Sequence, residues 1–332
     1  MWDFDIGKTL SILGRTAPFI VFRLTVYLGV ALAYALAVGA GTGTGYLIAS
    51  ATNDAPAAFW GGMAGFGLVS AGLYWAREYL LYMVKAGHIA VMVELIDGRD
   101  LPAGRSQIGY AQASVRERFL ETSVLFGIDQ LIKGILRALN GLLFTVSSFL
   151  PIPGLQGAIG FLNKLLNMAL TYTDEVILAY NVRTRTANPW ASSRTALILY
   201  AQNFKTILKN AFFLLLINYG IAILLFLVIL APAAGIAALM HSTAGVWIYV
   251  FAGILTWSLK AALLEPFAIC ALMQVYFKAI EGQAPNAEWE QKLDGLSEKF
   301  RALGDKGACA RCGRQHRRRG ARGVTGTSAW NW

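Results

Sequence analysis

Few residues in this chain are placed to do chemistry, and their spacing fits no catalytic motif. His88, His241 and His316 lie far apart in sequence. No HExxH pair is present, and Ser70 in GLVSAG lacks the Gly-x-Ser-x-Gly elbow that presents a nucleophile. Cys309-Ala-Arg-Cys312 with His316 offers three zinc ligands, whereas a structural site takes four. No catalytic residue, cofactor or metal is therefore expected.

Ionisable groups embedded in apolar sequence say more, because a charge in hydrocarbon is costly and marks function. Glu78, Lys260 and Glu265 are the candidates. At a rise of about 1.5 Å per residue, Glu78 lies about 30 Å along a helix starting at Ala57. Lys260 and Glu265 lie about 22 and about 30 Å from Gly245. All three then fall near the headgroups, and the midplane holds uncharged polar groups such as Asn218. Asp174 and Glu175 are adjacent on a helix, so they diverge by about 100° and cannot face one substrate together. One of them is expected to pair with an arginine of the polar connector Thr171–Lys209 in which they lie. Pro151, Pro153 and Gly154 form the tip between two apolar arms, within 138–162, that are too short to span.

Composition sets these residues in lipid. Hydrophobic residues make up 56% of the 332 and charged residues only 14%, against about 25% charged in soluble chains. The predicted fold class is all-α: a polytopic helical membrane protein with four spans plus a re-entrant or interfacial hairpin. Residues 1–98 read as a first membrane hairpin with a cytoplasmic helical extension, its spans at Leu24–Ala49 and Ala57–Ala76. The leader is acidic and the apolar run continues past Ala37, so this segment reads as a retained anchor. Residues 99–209 read as cytoplasmic or interfacial helices carrying the 138–162 hairpin. Residues 210–282 form a second membrane hairpin around an uncharged loop at Ala231–Gly245. Residues 283–304 form an amphipathic helix, and 305–332 a disordered basic tail.

Gly39, Gly41, Gly43 and Gly45 suggest close helix approach in the first span, through the four-apart pairs 39/43 and 41/45. Helix boundaries are also signalled: Gly98 as a stop, and Asn188-Pro189 as a cap followed by proline at the first helical position.

The net charge of +10 is distributed unevenly. Every Lys and Arg falls before Leu24, between Arg77 and Lys209, or from Lys260 onward, and none lies in the two predicted outer loops. By the positive-inside rule the protein is a multi-pass protein of the plasma (inner) membrane with both termini cytoplasmic. The basic tail then faces anionic lipid rather than nucleic acid. In Asn286–Leu303, Trp289, Leu293, Leu296, Phe300 and Leu303 recur at heptad spacing opposite a mixed-charge face. That helix is expected to dock on the chain's own helices, on a second copy, or on a protein partner.

Tyr200-Ala-Gln-Asn-Phe204 followed by Lys209-Asn-Ala-Phe-Phe-Leu-Leu215 resembles a stretch of choline-transporter-like membrane proteins. There an Asn-Phe pair precedes a basic, leucine-rich entry into a span. The likeness covers about thirty residues, carries over no binding residue, and implies transport. Two function classes follow: a transporter or channel-like protein for a small organic solute or lipid-derived molecule, or a non-catalytic scaffold or assembly factor recruiting partners through cytoplasmic helices.

Overall fold

The computed structural model describes residues 2–52, 56–101, 106–118, 131–132, 135, 172–186, 188–239 and 244–309. Side chains of 73–83, 115–118, 239 and 244 fall outside this set. Among the described residues all regular structure is helical. The helices are α1 Ile6–Arg15, α2 Ala17–Thr52, α3 Ala57–Ile96, α4 Gln107–Arg118, α5 Thr173–Thr184, α6 Pro189–Gln202, α7 Phe204–Leu239, α8 Ala244–Leu259, α9 Glu265–Ala279 and α10 Ala287–Leu296. A five-residue π-helical turn, Lys260–Leu264, joins α8 to α9, and a further helix, α11, covers 298–309. Three helical stretches are long and apolar enough to cross a membrane: Ala17–Thr52, Phe204–Ala238 and Gly245–Ala279. The described residues thus form an all-helical structure whose three long apolar helices suit a membrane protein. The apolar stretch Ala57–Ala76 lies in the continuous helix α3 but runs into the residues without described side chains.

Contacts divide the chain into two compact units. The first is built from Phe4–Gln112 and Phe213–Ala271. Its main seam joins α2 to α3, and small residues make it. A Cβ at Gly41 would overlap the Gly61 carbonyl, one at Gly45 the Ala57 carbonyl, and one at Gly65 the Ala37 carbonyl. The backbones therefore touch, as small residues permit in lipid. The expected pair Gly41/Gly45 lies in this seam. Gly39 and Gly43 do not, because a Cβ at either meets open space.

Polar contacts fasten α1 to the end of α3. Asp5 caps α1 by accepting from the Lys8 amide at 2.9 Å. The Lys8 ammonium donates to the carbonyl of Ile96 at 2.9 Å, the last residue of α3, where the helix dipole favours a cation. Gly98, at φ +73°, turns the chain out of α3 as the sequence suggests, and Arg15 pairs with Asp100 at 2.6 Å.

The second unit takes Met1–Asp3, Ala113–Phe212 and Leu272–Trp332. Asn188 caps α6 through the Ala191 amide, with Pro189 in the first turn. Tyr276 is fully buried and donates to the Ala196 carbonyl at 2.9 Å. Asp3 ties the N-terminus to α7 through Lys209 at 2.6 Å and Asn210 at 2.7 Å.

Several expectations change. The loop expected at Ala231–Gly245 is largely helix: α7 continues through Pro232 to Leu239, and α8 begins at Ala244. Alanine-rich sequence sustains the helix there despite the proline. The amphipathic segment 286–303 is two helices, and it does not stop at Gly304. Ser297 is extended at φ −146°, ψ 114°, and its hydroxyl accepts from the Phe300 amide at 3.3 Å, so it both ends α10 and caps α11. The hairpin 138–162, with Pro151, Pro153 and Gly154, and residues 310–332 of the tail lie outside the described residues.

Candidate functional site

The π turn of the first unit gathers the polar groups of interest, and proline chemistry accounts for its position. Pro266 has no amide hydrogen, and in an α-helix its ring would crowd the carbonyl four residues back. In the π register the relevant carbonyl lies five back. The Glu265 amide bonds the Lys260 carbonyl, the next bond would run from residue 266 to Ala261, and proline cannot donate it. The Ala261 carbonyl therefore lacks a helical donor in a buried position. Arg23 of α2 supplies one: its Nη2 donates to Ala261 O at 3.0 Å and to Glu265 Oε2 at 2.9 Å.

Small residues let the arginine approach. Ala261 and Ala262 pack against Tyr27 and Leu24 of α2, Tyr27 meets Trp257 edge-on at 5.5 Å, and Ser258 Oγ donates to the Tyr27 carbonyl. The Arg23 side chain is only 3% exposed, while Glu265 is 27% exposed. The site is thus a buried cation whose counter-ion forms its rim. Arg23 immediately precedes the uncharged run Leu24–Ala49, which puts the pair at the end of the apolar zone rather than in its middle.

Further polar groups adjoin this site. Lys260, first in the π turn, places its ammonium 5.2 Å from the centre of the Tyr219 ring of α7. Asn218 beside it is buried, and its Oδ1 has no partner among the described residues. His88 of α3 is fully buried, stacked at 5.0 Å on Phe19, with Nε2 2.9 Å from Thr16 Oγ1. The Thr16 hydroxyl has one proton, and the Ile12 carbonyl at 3.0 Å takes it. The network therefore assigns the His88 proton to Nε2, leaving Nδ1 as an acceptor. Neither His88 Nδ1 nor Arg23 Nη1 has a hydrogen-bond partner among the described residues.

Of the residues singled out from sequence, Lys260 and Glu265 meet at this turn, and Asn218 belongs to the same unit. Asp174 and Glu175 belong to the second unit, at the start of α5, with Glu175 buried and Asp174 half-buried. Tyr200 of α6 is buried near them, and burial pushes its phenol well above the usual range despite a bond to Thr173. Glu78 lies within α3, but its side chain is outside the described residues. Sequence reasoning missed Arg23 and His88. One signal was available: Arg23 closes off an uncharged run and Pro266 follows Glu265, so a charge and a helix defect mark the two spans. Compared with known families, curated proteins and solved structures, the chain matches none. Among the described residues no group of three metal-ligating side chains occurs.

Proposed function

We propose that this chain is a transport-type membrane protein for a small organic solute or lipid-derived molecule, with the Arg23-braced π turn as its working element. The Arg23–Glu265 pair on the turn carries this reading. A buried ionisable pair at the end of a span's apolar zone stands where a solute or ion path would open, and π turns concentrate at functional positions. The accompanying topology has four spans plus the 138–162 hairpin, with both termini on the cytoplasmic side of the plasma (inner) membrane. Single cysteines at Asn53 and Ser242 should then react with an impermeant maleimide in intact cells, and one at Ser192 should not.

The test compares metabolites and lipids between cells lacking the protein and cells complemented with it or with Arg23→Met at matched membrane levels. A compound should change in the deletion and be restored by the wild-type chain but not by the variant. Identical profiles in deletion and wild-type cells would sink the transport reading.

The glycine seam favours a second reading, a membrane scaffold, because backbones in contact leave no room for a solute between α2 and α3. A partner would then engage the second unit at Leu296, the last residue of α10, which is 48% exposed. Recovery of one stoichiometric partner from mild detergent, lost with Leu296→Glu, would support it.

A further inference from the structure

In the second unit, α6, α10 and α11 border a groove of about 690 Å³, within the range typical of small-molecule sites. Arg194 of α6 is its fixed brace. Its Nε donates to Glu290 at 3.1 Å, Nη2 to Asp294 at 2.6 Å and Nη1 to the Phe300 carbonyl at 3.2 Å. The guanidinium also stacks over the Phe300 ring at 4.4 Å, which leaves Arg194 little capacity for a ligand. Two carboxylates share that one cation, so this end of the groove keeps an excess negative charge, and Asp294 Oδ1 is buried with no hydrogen-bond partner among the described residues.

The other end is open in both signs. Among the described residues the nearest carboxylate to Arg301 is Glu298 at 3.9 Å, too far for a hydrogen bond. Asp305, one turn of about 5.4 Å further along α11, has no ion-pair partner among the described residues and also lines the groove. Ile198 and Pro285 add apolar wall.

We propose that this groove binds a small aliphatic zwitterion of the α-amino acid class. The ligand carboxylate engages Arg301, its ammonium engages Asp305 in the negative field of the Glu290 and Asp294 carboxylates, and its side chain lies against Ile198 and Pro285. A simple amine would leave Arg301 unengaged. A simple acid would meet three carboxylates with only one available guanidinium. The inference is independent of the reading of the π turn.

The test uses the full-length protein in detergent and ligand-observed NMR titration with three probes: leucine, 3-methylbutylamine, which lacks the carboxylate, and 4-methylpentanoate, which lacks the ammonium. Leucine should saturate with a dissociation constant in the millimolar range. Rim contacts of this exposure are worth about two- to fivefold each, so each analogue should bind more weakly by that factor. Arg301→Gln should reduce leucine to the level of 3-methylbutylamine while leaving binding of the amine unchanged. Asp305→Asn should weaken leucine and the amine together and leave 4-methylpentanoate no weaker. Both substitutions are on exposed positions, and an unchanged melting temperature would show that the fold is intact. No saturable leucine binding overturns the proposal, and so does equal binding of all three probes or loss of amine binding in Arg301→Gln.

Discussion

Replacing Arg23 with methionine tests the account of the π turn directly. The substitution keeps an apolar stem of similar reach and removes two contacts, the bond to Ala261 O and the pair with Glu265. Breaking a buried ion pair by deleting one partner costs about 3–5 kcal/mol. Glu265 is 27% exposed and can reach water or headgroups, so the lower end applies. The orphaned Ala261 carbonyl adds about 1–3 kcal/mol. A total loss of about 4–6 kcal/mol is expected from unfolding in mixed micelles. Arg23→Met with Glu265→Gln should recover the carboxylate's share and leave the carbonyl's.

Pro266→Ala then isolates the carbonyl. An alanine amide at 266 can bond Ala261 in the π register or Ala262 in the α register, so the carbonyl no longer needs an arginine. The penalty of Arg23→Met should therefore be smaller in the Pro266→Ala background by about 1–3 kcal/mol, the carbonyl's share. A double-mutant cycle measures that coupling. Additivity to within about 0.5 kcal/mol would refute the argument, because it would show that Arg23 and Pro266 do not act on the same carbonyl.

Other expectations are simpler. Gly61→Val should drive α2 and α3 apart and lower stability by about 1–3 kcal/mol or more, whereas Gly43→Ala, with open space at its Cβ, should be neutral or mildly stabilising in the same detergent melt. Arg194→Lys keeps the charge but loses the fork that reaches Glu290, Asp294 and Phe300, so about 2 kcal/mol should go. Faster tryptic cleavage at Lys292 and Lys299 would report release of α10 and α11, and unchanged cleavage would count against the brace. Hydrogen bonds from Lys209 and Asn210 hold the Asp3 carboxyl below its usual range. That contribution is present above the unfolded value and disappears as pH falls through the lower folded one. Partial exposure of both partners keeps it below about 1 kcal/mol. Asp3→Asn should therefore be less stable than wild type at pH 7 and equal to it at strongly acid pH, and a gap that persists in acid would exclude the ion pair as its cause.

Different parts of the molecule were legible in the sequence to different depths, for physical reasons. Local signals read well: Asn188 with Pro189, and Gly98, each act on their own helix end, and each is found at a helix boundary. Ser297 was missed because the heptad spacing of Leu293, Leu296, Phe300 and Leu303 runs straight across it. Periodicity records which face is apolar and says nothing about a one-residue break that preserves that face. Gly41 and Gly43 look alike as members of four-apart pairs, and only the rotation of α2 against α3 decides which pair meets a backbone.

The π turn lay deepest. Lys260 and Glu265 were visible as charges in an apolar run, yet hydropathy treats Pro266 as one more residue of that run. What matters is the hydrogen it lacks, the carbonyl five residues earlier that goes without a donor, and a replacement donor 238 residues away in sequence. A single sequence contains all three residues, but nothing in their spacing links them. The link is made only when Ala261 and Ala262 are small enough for α2 to bring Arg23 against the turn. The same geometry explains why Arg23 can be kept in a buried position at all. It answers a carbonyl and a carboxylate at once, so its charge and the helix defect compensate each other, and removing either one exposes the other.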